Sequence, residues 1–309
     1  MTHFTLHEKA KISLKAEALT AELLNKRGKR RYTVWHVAAE QETLCDIPAD
    51  LFSHDALCQR NVFSETIWHV AAENNTLKDI PLHFLTKEAL ANIDRDSNSV
   101  WHLAARYGSL KDIPKHLFTS ELLSQIDIFD NTVWHFAAEH NTLKDVPEYL
   151  FTKEALDITN RVRQSVWHLA AHSGSYKNIP QYLFTKNALS QKDADGKTSW
   201  EVAAANNTLE DIPARLINEE LFKLTNEDGV SVFNASDTAY VNSVISERNT
   251  MFNLFIDITH RDPRLLLIDV KDDSVLFEFH GVEDEVVLNK NGVFSKMRIF
   301  KLLEILLLL

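Results

Sequence analysis

The chain has 309 residues, 45% of them apolar and 25% charged, a composition typical of a folded protein in aqueous solution. Its formal net charge of −11 disfavours general nucleic-acid binding, because phosphate recognition requires basic surface. Two cysteines exclude a disulfide framework and fit a reducing compartment, and neither a signal-peptide pattern nor an apolar run of about 20 residues is visible. We therefore expect a cytoplasmic protein with no transmembrane segment, and delivery into a host cell stays open.

Two rare residue types recur with a period of 33 residues. All six tryptophans follow this period, and so do six of the seven prolines. The tryptophans are Trp35, Trp68, Trp101, Trp134, Trp167 and Trp200. The prolines are Pro48, Pro81, Pro114, Pro147, Pro180 and Pro213. A period of 20–50 residues predicts stacked structural repeats that each contact only their neighbours.

Each repeat is predicted to begin with a turn and a short helix. An Asn or Asp opens the turn, because its side chain bonds nearby backbone and tolerates left-handed geometry. A Ser or Thr five residues later is placed to cap the helix, and a His follows where a capping box has Glu or Gln. In the sixth repeat that place holds Glu201, which favours helix capping over chemistry for the whole His column. The column contains His36, His69, His102, His135 and His168.

The rest of each repeat is predicted to be a second helix. An Ala-Ala pair in the first helix permits close approach of the neighbouring repeat, and Gly108, Gly174 or an Asn ends that helix. The segment LKDIP then predicts a helix with Pro in its first turn and the preceding Asp as its cap. A Thr-x-Glu start at Thr119 predicts one further helical turn.

The repeat resembles that of the ankyrin family. The family pattern D-x-x-G-x-T-P-L-H-x-A-A is nearest in DADGKTSWEVAA, residues 193–204, and most repeats have Val-Trp or Ile-Trp in place of the family's Pro-Leu. The resemblance implies an all-α solenoid of ankyrin-type repeats with a small α+β C-terminal extension. The expected domains are an N-terminal capping half-repeat at 1–32, repeats at 33–225, a degenerate capping repeat at 226–256 and the extension at 257–309.

The C-terminal extension has a different pattern. Residues 264–270, 274–281 and 284–289 predict strands separated by turn signals. Ser295 is expected to start a last helix, and the apolar tail at 302–309 is expected to be buried, with a partner surface or a membrane-facing patch as the alternatives.

One triplet in the extension faintly resembles the acid-x-Lys pattern of restriction-endonuclease-like nucleases. It is Asp269-Val-Lys271, with Asp257 and Glu278 nearby in sequence. A solvated hairpin end explains the same residues and is the favoured interpretation.

Three other patterns have structural explanations. One His per repeat, at a helix spacing of about 8–10 Å, cannot converge on a zinc ion whose ligands lie at about 2 Å. The Trp column is interpreted as the core between repeats rather than as a base-stacking surface. The basic run KRGKRR, residues 26–31, stays open between a solvated loop and a phosphate-binding or nuclear-import patch. We expect no metal and no cofactor.

Variable positions inside otherwise regular columns predict the binding surface. In ankyrin proteins the partner meets the turn tips and the exposed face of the first helices, and those positions differ strongly between repeats here. The predicted partner-binding residues are Tyr32, Glu40, Phe63, Glu65, Glu73, Arg106, Tyr107, Phe129, Asp130, Glu139, His140, Arg163 and His172. The resemblance implies a non-enzymatic scaffold that binds another protein through its turn tips and concave face. The alternatives are an inhibitor, antitoxin or delivered effector that binds a target enzyme and, less favoured, nuclease-like activity in the extension.

Overall fold

The computed structural model describes residues 19–217 and 239–247, together with four strands between residues 265 and 295. The chain divides into two units, Met1–Thr208 and Leu209–Leu309. Most of the predicted degenerate cap, the residue Asp257 and the apolar tail lie outside the described residues, and the bounds of the four predicted domains stay predictions.

Each repeat of the first unit contains a helix of about two turns built around its tryptophan. These Trp helices are Val34–Glu40, Ile67–Glu73, Val100–Tyr107, Val133–Glu139, Val166–Ser173 and Ser199–Ala205. A Ser or Thr is the N-cap of every one of them, as predicted. Just beyond each helix the backbone turns left-handed, at Gly108 and Gly174, at an Asn in three repeats and at Glu42 in the first.

The second half of each repeat is not one helix, so that prediction is wrong. It contains two 3-10 turns and then a short α-helix. The first turns are Leu44–Asp46, Leu77–Asp79, Leu110–Asp112, Leu143–Asp145 and Tyr176–Asn178. The second turns are Ala49–Leu51, Leu82–Phe84, Lys115–Leu117, Glu148–Leu150 and Gln181–Leu183. The short helices are His54–Leu57, Lys87–Leu90, Ser120–Leu123, Lys153–Asp157 and Lys186–Leu189, and Ala21–Leu24 precedes the first repeat.

Proline is the physical reason for this break. The ring of Pro114 fixes its φ at −56°, and its ψ is 131°, which is extended backbone. A proline also pushes the preceding residue out of the helical region, and Ile113 accordingly lies at ψ 128°. Asp112 therefore ends the first 3-10 turn instead of capping a helix. The short helix capped by Thr119 is as predicted.

Successive repeats of the first unit stack through their Trp helices, each of which packs against the next. The Ala pairs at this interface are at most 1% exposed, which lets the backbones approach closely. From the second repeat onward, a Ser or Thr just after each Trp helix adds a bond between repeats: the Thr142 hydroxyl, for example, donates to the Ala105 carbonyl of the previous repeat at 2.7 Å. The equivalent hydroxyls of Thr76, Ser109, Ser175 and Thr208 do the same.

The tryptophans form the core of the stack. Trp35, Trp68, Trp101, Trp134 and Trp167 are at most 1% exposed, and Trp200 is 3% exposed. Four of them meet a phenylalanine of their own repeat edge-to-face, with ring centroids 4.8–5.0 Å apart. These phenylalanines are Phe52, Phe118, Phe151 and Phe184. The predicted assignment of the indoles to the core, one per layer, is confirmed.

The second unit begins with the 3-10 turns Leu209–Asp211 and Ala214–Leu216, and residues 239–247 are helical. Its sheet is an antiparallel meander of β1 (Leu265–Lys271), β2 (Ser274–Phe279), β3 (Glu285–Asn289) and β4 (Gly292–Ser295). The three predicted strands are confirmed and β4 was missed. Ser295 is the last residue of β4, and the helix predicted to start there lies outside the described residues. Within the parts of both units that are described, no helix is long and apolar enough to cross a membrane.

Candidate protein-binding surface

From the second repeat onward, the turns that open the repeats are held by their Asn or Asp side chain. In the fourth repeat, Asp127 Oδ1 accepts bonds from the backbone N–H groups of Phe129 and Asn131, both at 2.8 Å. Asp94, Asn160 and Asp193 make the same pair of bonds. The chain reverses so tightly that the residues flanking the turn form a β-bridge, as between Ile126 and Thr132.

Adjacent turns are joined by a ladder of backbone hydrogen bonds, one for each step between repeats. The N–H of Arg95 donates to the carbonyl of Phe63 at 2.9 Å, and the N–H of Arg161 donates to that of Phe129 at 3.0 Å. The same bond recurs from Val62, Ile128 and Ala194 to the preceding turn. The tips are therefore a rigid row rather than independent loops. We call residues 29–31, 62–64, 95–97, 128–130, 161–163 and 194–196 the turn-tip row.

This geometry identifies the repeat class, because an Asx-closed turn, a capped helix with an Ala pair and one module per 33 residues occur together in it. The first unit is an ankyrin-type solenoid. Its departure from the usual ankyrin-type repeat is the second half, where proline replaces the second helix with 3-10 turns.

Comparisons with known proteins add likenesses of fold. No family model matches the chain, and no curated protein matches it. A solved complex of a predatory endopeptidase from Bdellovibrio bacteriovorus with an immunity protein is 20% identical, at a TM-score of 0.45 over 60% of this chain and 97% of the other. The ankyrin repeat domain of Bcl-3 is 16% identical, at a TM-score of 0.46 over 71% of this chain and 100% of the other. Both TM-scores lie below 0.5, so the fold assignment rests on the repeat geometry of this chain alone.

In every turn of the turn-tip row, the third residue has a left-handed backbone conformation. Ser64, Ser97, Asp130 and Arg163 have φ between 59° and 65°, and so does Arg31 in the first repeat, whereas the sixth repeat has Gly196 at φ 75°. A side chain with a Cβ costs roughly 1–2 kcal/mol in this conformation, and glycine avoids that cost. Five repeats therefore keep a strained side chain where the ankyrin-type pattern has glycine.

Phe63 lies between arginines from the two neighbouring turns. The guanidinium carbons of Arg30 and Arg95 lie 5.8 and 5.9 Å from the centroid of its ring, within the range of cation–π attraction. Phe63 is still 38% exposed, and Phe129, two repeats further on, is 55% exposed. The alternative that these rings fold back onto the solenoid holds in part for Phe63 and does not hold for Phe129. Arg30 and Arg95 were not among the predicted binding residues.

The exposed face of the Trp helices carries one variable residue per repeat. We call Glu40, Glu73, Arg106, Glu139 and His172 the helix-face row. Glu73 is half-buried and the other four are exposed. Burial and the nearby carboxylates of Glu65, Asp94 and Glu40 raise the pKa of Glu73 to about 7, against the opposing charge of Arg106.

Two aromatic rings lie beside the helix-face row. Burial, followed by the charges of Glu65, Glu40 and Glu73, raises the pKa of Tyr32 to about 12. Tyr107 is exposed and lies under the Arg106 guanidinium, whose carbon is 5.6 Å from the ring centroid. The first three repeats therefore combine a carboxylate-rich helix face with aromatic rings.

The predicted binding residues are mostly accessible. Nine are exposed: Glu40, Phe63, Arg106, Tyr107, Phe129, Glu139, His140, Arg163 and His172. The other four, Tyr32, Glu65, Glu73 and Asp130, are half-buried. The structure thus brings the thirteen residues onto two neighbouring features of the first unit, the turn tips and the helix face. Their role in binding stays a prediction.

The His column caps helices, as the Glu201 comparison predicts, and it also joins neighbouring repeats. In each of the five repeats, the backbone N–H of the N-cap residue donates to His Nδ1 at 3.0–3.2 Å. Since Nδ1 accepts a bond, Nε2 carries the proton, and it donates to a backbone carbonyl of the next repeat at 3.1–3.3 Å. Glu201 takes the Nδ1 role in the sixth repeat, accepting from the Thr198 N–H at 2.6 Å. Both ring nitrogens of each His are therefore engaged in the fold.

The remaining candidates are placed as follows. Residues 26–30 of the basic run are exposed except for Gly28, and Arg31 is exposed as well. In the sheet, Asp269 pairs with Leu276 and Lys271 pairs with Ser274, while Glu278 pairs with Leu266 on the other side of a register shift in β1. The nuclease alternative stays a prediction. Among the residues that the structure describes, no cluster of three His, Cys, Asp or Glu is arranged to hold a metal ion.

Proposed function

We propose that this protein is a non-enzymatic scaffold that binds another protein through its turn-tip row and helix-face row. The observation that carries the proposal is the left-handed backbone at the turn tips. The turns of the second to sixth repeats share the same Asx bonds, and the backbone ladder joins all six turns, yet five of the six turns hold a side chain where glycine would be less strained. Strain that recurs at variable positions, all of them exposed or half-buried, is explained when those side chains have a function outside the fold.

Rigidity and residue type support the same proposal. The ladder and the Asx turns fix the backbone of the tips before any partner arrives, so little conformational entropy would be lost on binding. Arg, Tyr and Phe are enriched at the centres of protein interfaces, and Phe63, Phe129, Arg106, Tyr107 and Arg163 place these types on one accessible region. An inhibitor, an antitoxin or a delivered effector would use this same surface against a target enzyme, and we include them as sub-cases. The expected cytoplasmic location is part of the proposal.

The proposal is tested by quantitative affinity capture from the native cell. We expect the variant Phe63→Ala/Phe129→Ala/Arg163→Ala to lose the specific partner by tenfold or more. The matched control is Tyr149→Ala/Tyr182→Ala/Lys153→Ala, which removes two aromatic rings and a cation from exposed positions in the second halves of the repeats. Equal recovery of every partner by the tip variant and the wild type would reject this surface.

A further inference from the structure

The turn-tip row is basic within an acidic chain. Its six turns contain six lysines and arginines against three aspartates, whereas the whole chain has a net charge of −11. The cations are Lys29, Arg30, Arg31, Arg95, Arg161 and Arg163. The aspartates are Asp96, Asp130 and Asp195, and Asp130 is paired with Arg161 at 3.5 Å. The row therefore presents positive charge toward solvent.

Apolar side chains stand among these cations. Besides the exposed rings of Phe63 and Phe129, Val162 is 50% exposed and Ile128 is 39% exposed. The row thus alternates guanidinium groups with apolar groups on a backbone that the ladder makes rigid. Exposed apolar groups collected at one place on a folded protein indicate a contact surface.

The arrangement around Phe63 makes an anion favourable there. The guanidinium groups of Arg30 and Arg95 come from different repeats and both lie within 6 Å of one ring centroid. Two cations beside one exposed ring attract negative charge to it. An acidic segment that covers this ring would bring its carboxylates close to both guanidinium groups, and a carboxylate accepts the planar, bidentate hydrogen bonds that guanidinium groups form best.

We propose that the partner docks on the turn-tip row with an acidic protein segment whose carboxylates alternate with aliphatic or aromatic side chains. This inference rests on the proposed function and specifies the chemistry of the partner. A protein segment is favoured over a nucleic acid because Ile128 and Val162 offer exposed aliphatic contacts, which suit apolar side chains, rather than ring faces on which bases stack.

The test is selection from a displayed library of random 12-residue peptides on the immobilised full chain. We expect the selected peptides to be enriched in Asp and Glu together with Leu, Ile, Phe or Trp, and their affinity to fall as salt is raised. The same selection on Arg30→Gln/Arg95→Gln should lose the acidic enrichment. Selection of Lys- and Arg-rich peptides, or tighter binding of a 12-nucleotide oligouridine than of the best peptide, would overturn the inference.

The best selected peptide then locates the site by fluorescence anisotropy. We expect Arg30→Gln/Arg95→Gln to weaken its binding at least tenfold and Lys153→Gln, which removes an exposed cation from a short helix, to leave it within twofold. An unchanged thermal midpoint shows that the tip variant is folded. Equal weakening by both variants would mean non-specific attraction and would reject the site. If basic peptides are selected and are lost on Glu40→Gln/Glu73→Gln, the acidic-partner inference fails while the proposed binding function stands.

Discussion

At the scale of single residues, the tryptophans reveal both a strength and a cost of the repeat. Each indole fills the core of its layer, but the Nε1–H groups of Trp35, Trp68, Trp101 and Trp134 have no hydrogen-bond partner within the described residues. In the fifth repeat the cost is removed, because Trp167 Nε1 donates to Asp157 Oδ1 at 3.0 Å. A buried donor without a partner costs about 1–3 kcal/mol.

Ser124 precedes Trp134 by ten residues, as Asp157 precedes Trp167, and this equivalent position offers a direct test. We expect Ser124→Asp to supply Trp134 with an acceptor and to raise the free energy of unfolding by about 1 kcal/mol, measured by urea denaturation. Ser124→Ala is the control and should not raise it. Conversely, Asp157→Ala should lower the free energy of unfolding, and no change in that variant would contradict the role given to the bond.

The left-handed turn positions give a second prediction at this scale. We expect Arg163→Gly to raise the free energy of unfolding by about 0.5–1 kcal/mol, because glycine adopts φ near 59° without strain. The same variant should weaken partner binding, since the proposed function places Arg163 at the interface. Gly196→Ala should lower the free energy of unfolding, because alanine is strained at φ near 75°. A variant that is both less stable and an equally good binder would contradict this interpretation of the strain.

At the scale of the elements, the His column links helix capping to pH. Burial lowers the pKa of all five imidazoles, to about 4 for His36 and His135 and to about 3 for His69. The charges near His36 and His69, on Arg27 and Arg60, lower the pKa further, while Asp127 and Asp94 oppose the effect at His102. The unfolded chain therefore binds protons before the folded chain does.

This difference predicts acid sensitivity. The contribution of the uncharged imidazoles to the free energy of unfolding is complete above about pH 6.5 and is lost as the pH falls from there toward 4. In that range the histidines of the unfolded chain take up protons, while those of the folded chain stay uncharged. For a His with a folded pKa of about 4, the loss at pH 5 is about 2 kcal/mol. Urea denaturation between pH 7.5 and 4.5 measures it.

The variant His135→Gln isolates the effect of one imidazole. Glutamine can accept from the N-cap N–H and donate to the next repeat, but it does not titrate. We expect its free energy of unfolding to fall less steeply with pH than that of the wild type, whereas His116→Gln, at an exposed position, should follow the wild-type slope. Parallel slopes for His135→Gln and the wild type would refute the assignment.

At the scale of the whole stack of the first unit, stability depends on the interfaces between neighbouring repeats. The Thr142 hydroxyl bonds the Ala105 carbonyl of the previous repeat in a fully buried place. We expect Thr142→Val, which keeps the shape and removes the bond, to lower the free energy of unfolding by about 1–3 kcal/mol and to broaden the urea transition, because the repeats on either side become less coupled. Thr142→Ser keeps the hydroxyl that Ser109 and Ser175 provide in their repeats, and it should behave as the wild type.

Much of this stack is predictable from sequence because the period allows each position to be compared with the equivalent positions in the other repeats. The register of Trp, Asx, Ser/Thr and Ala-Ala fixes the Trp helices, their caps and the buried faces, and Glu201 in the His column identifies capping before any coordinates. One signal in the sequence was missed, namely a column after the Trp helices in which only Ser or Thr occurs. It contains Thr76, Ser109, Thr142, Ser175 and Thr208. The second helix was mispredicted because the tolerance of a first-turn proline was weighed above the extended backbone that proline imposes on the residue before it.

The sequence by itself determined the repeat, its length, its core and the residue types that vary at its surface, because these follow from periodicity and local backbone preference. Only the tertiary structure decided which variable residues meet. Arg30, Phe63 and Arg95 belong to three different repeats, and their contact depends on the ladder that sets the turns side by side. Distances across such an interface arise from the stacking of modules, which no single module encodes.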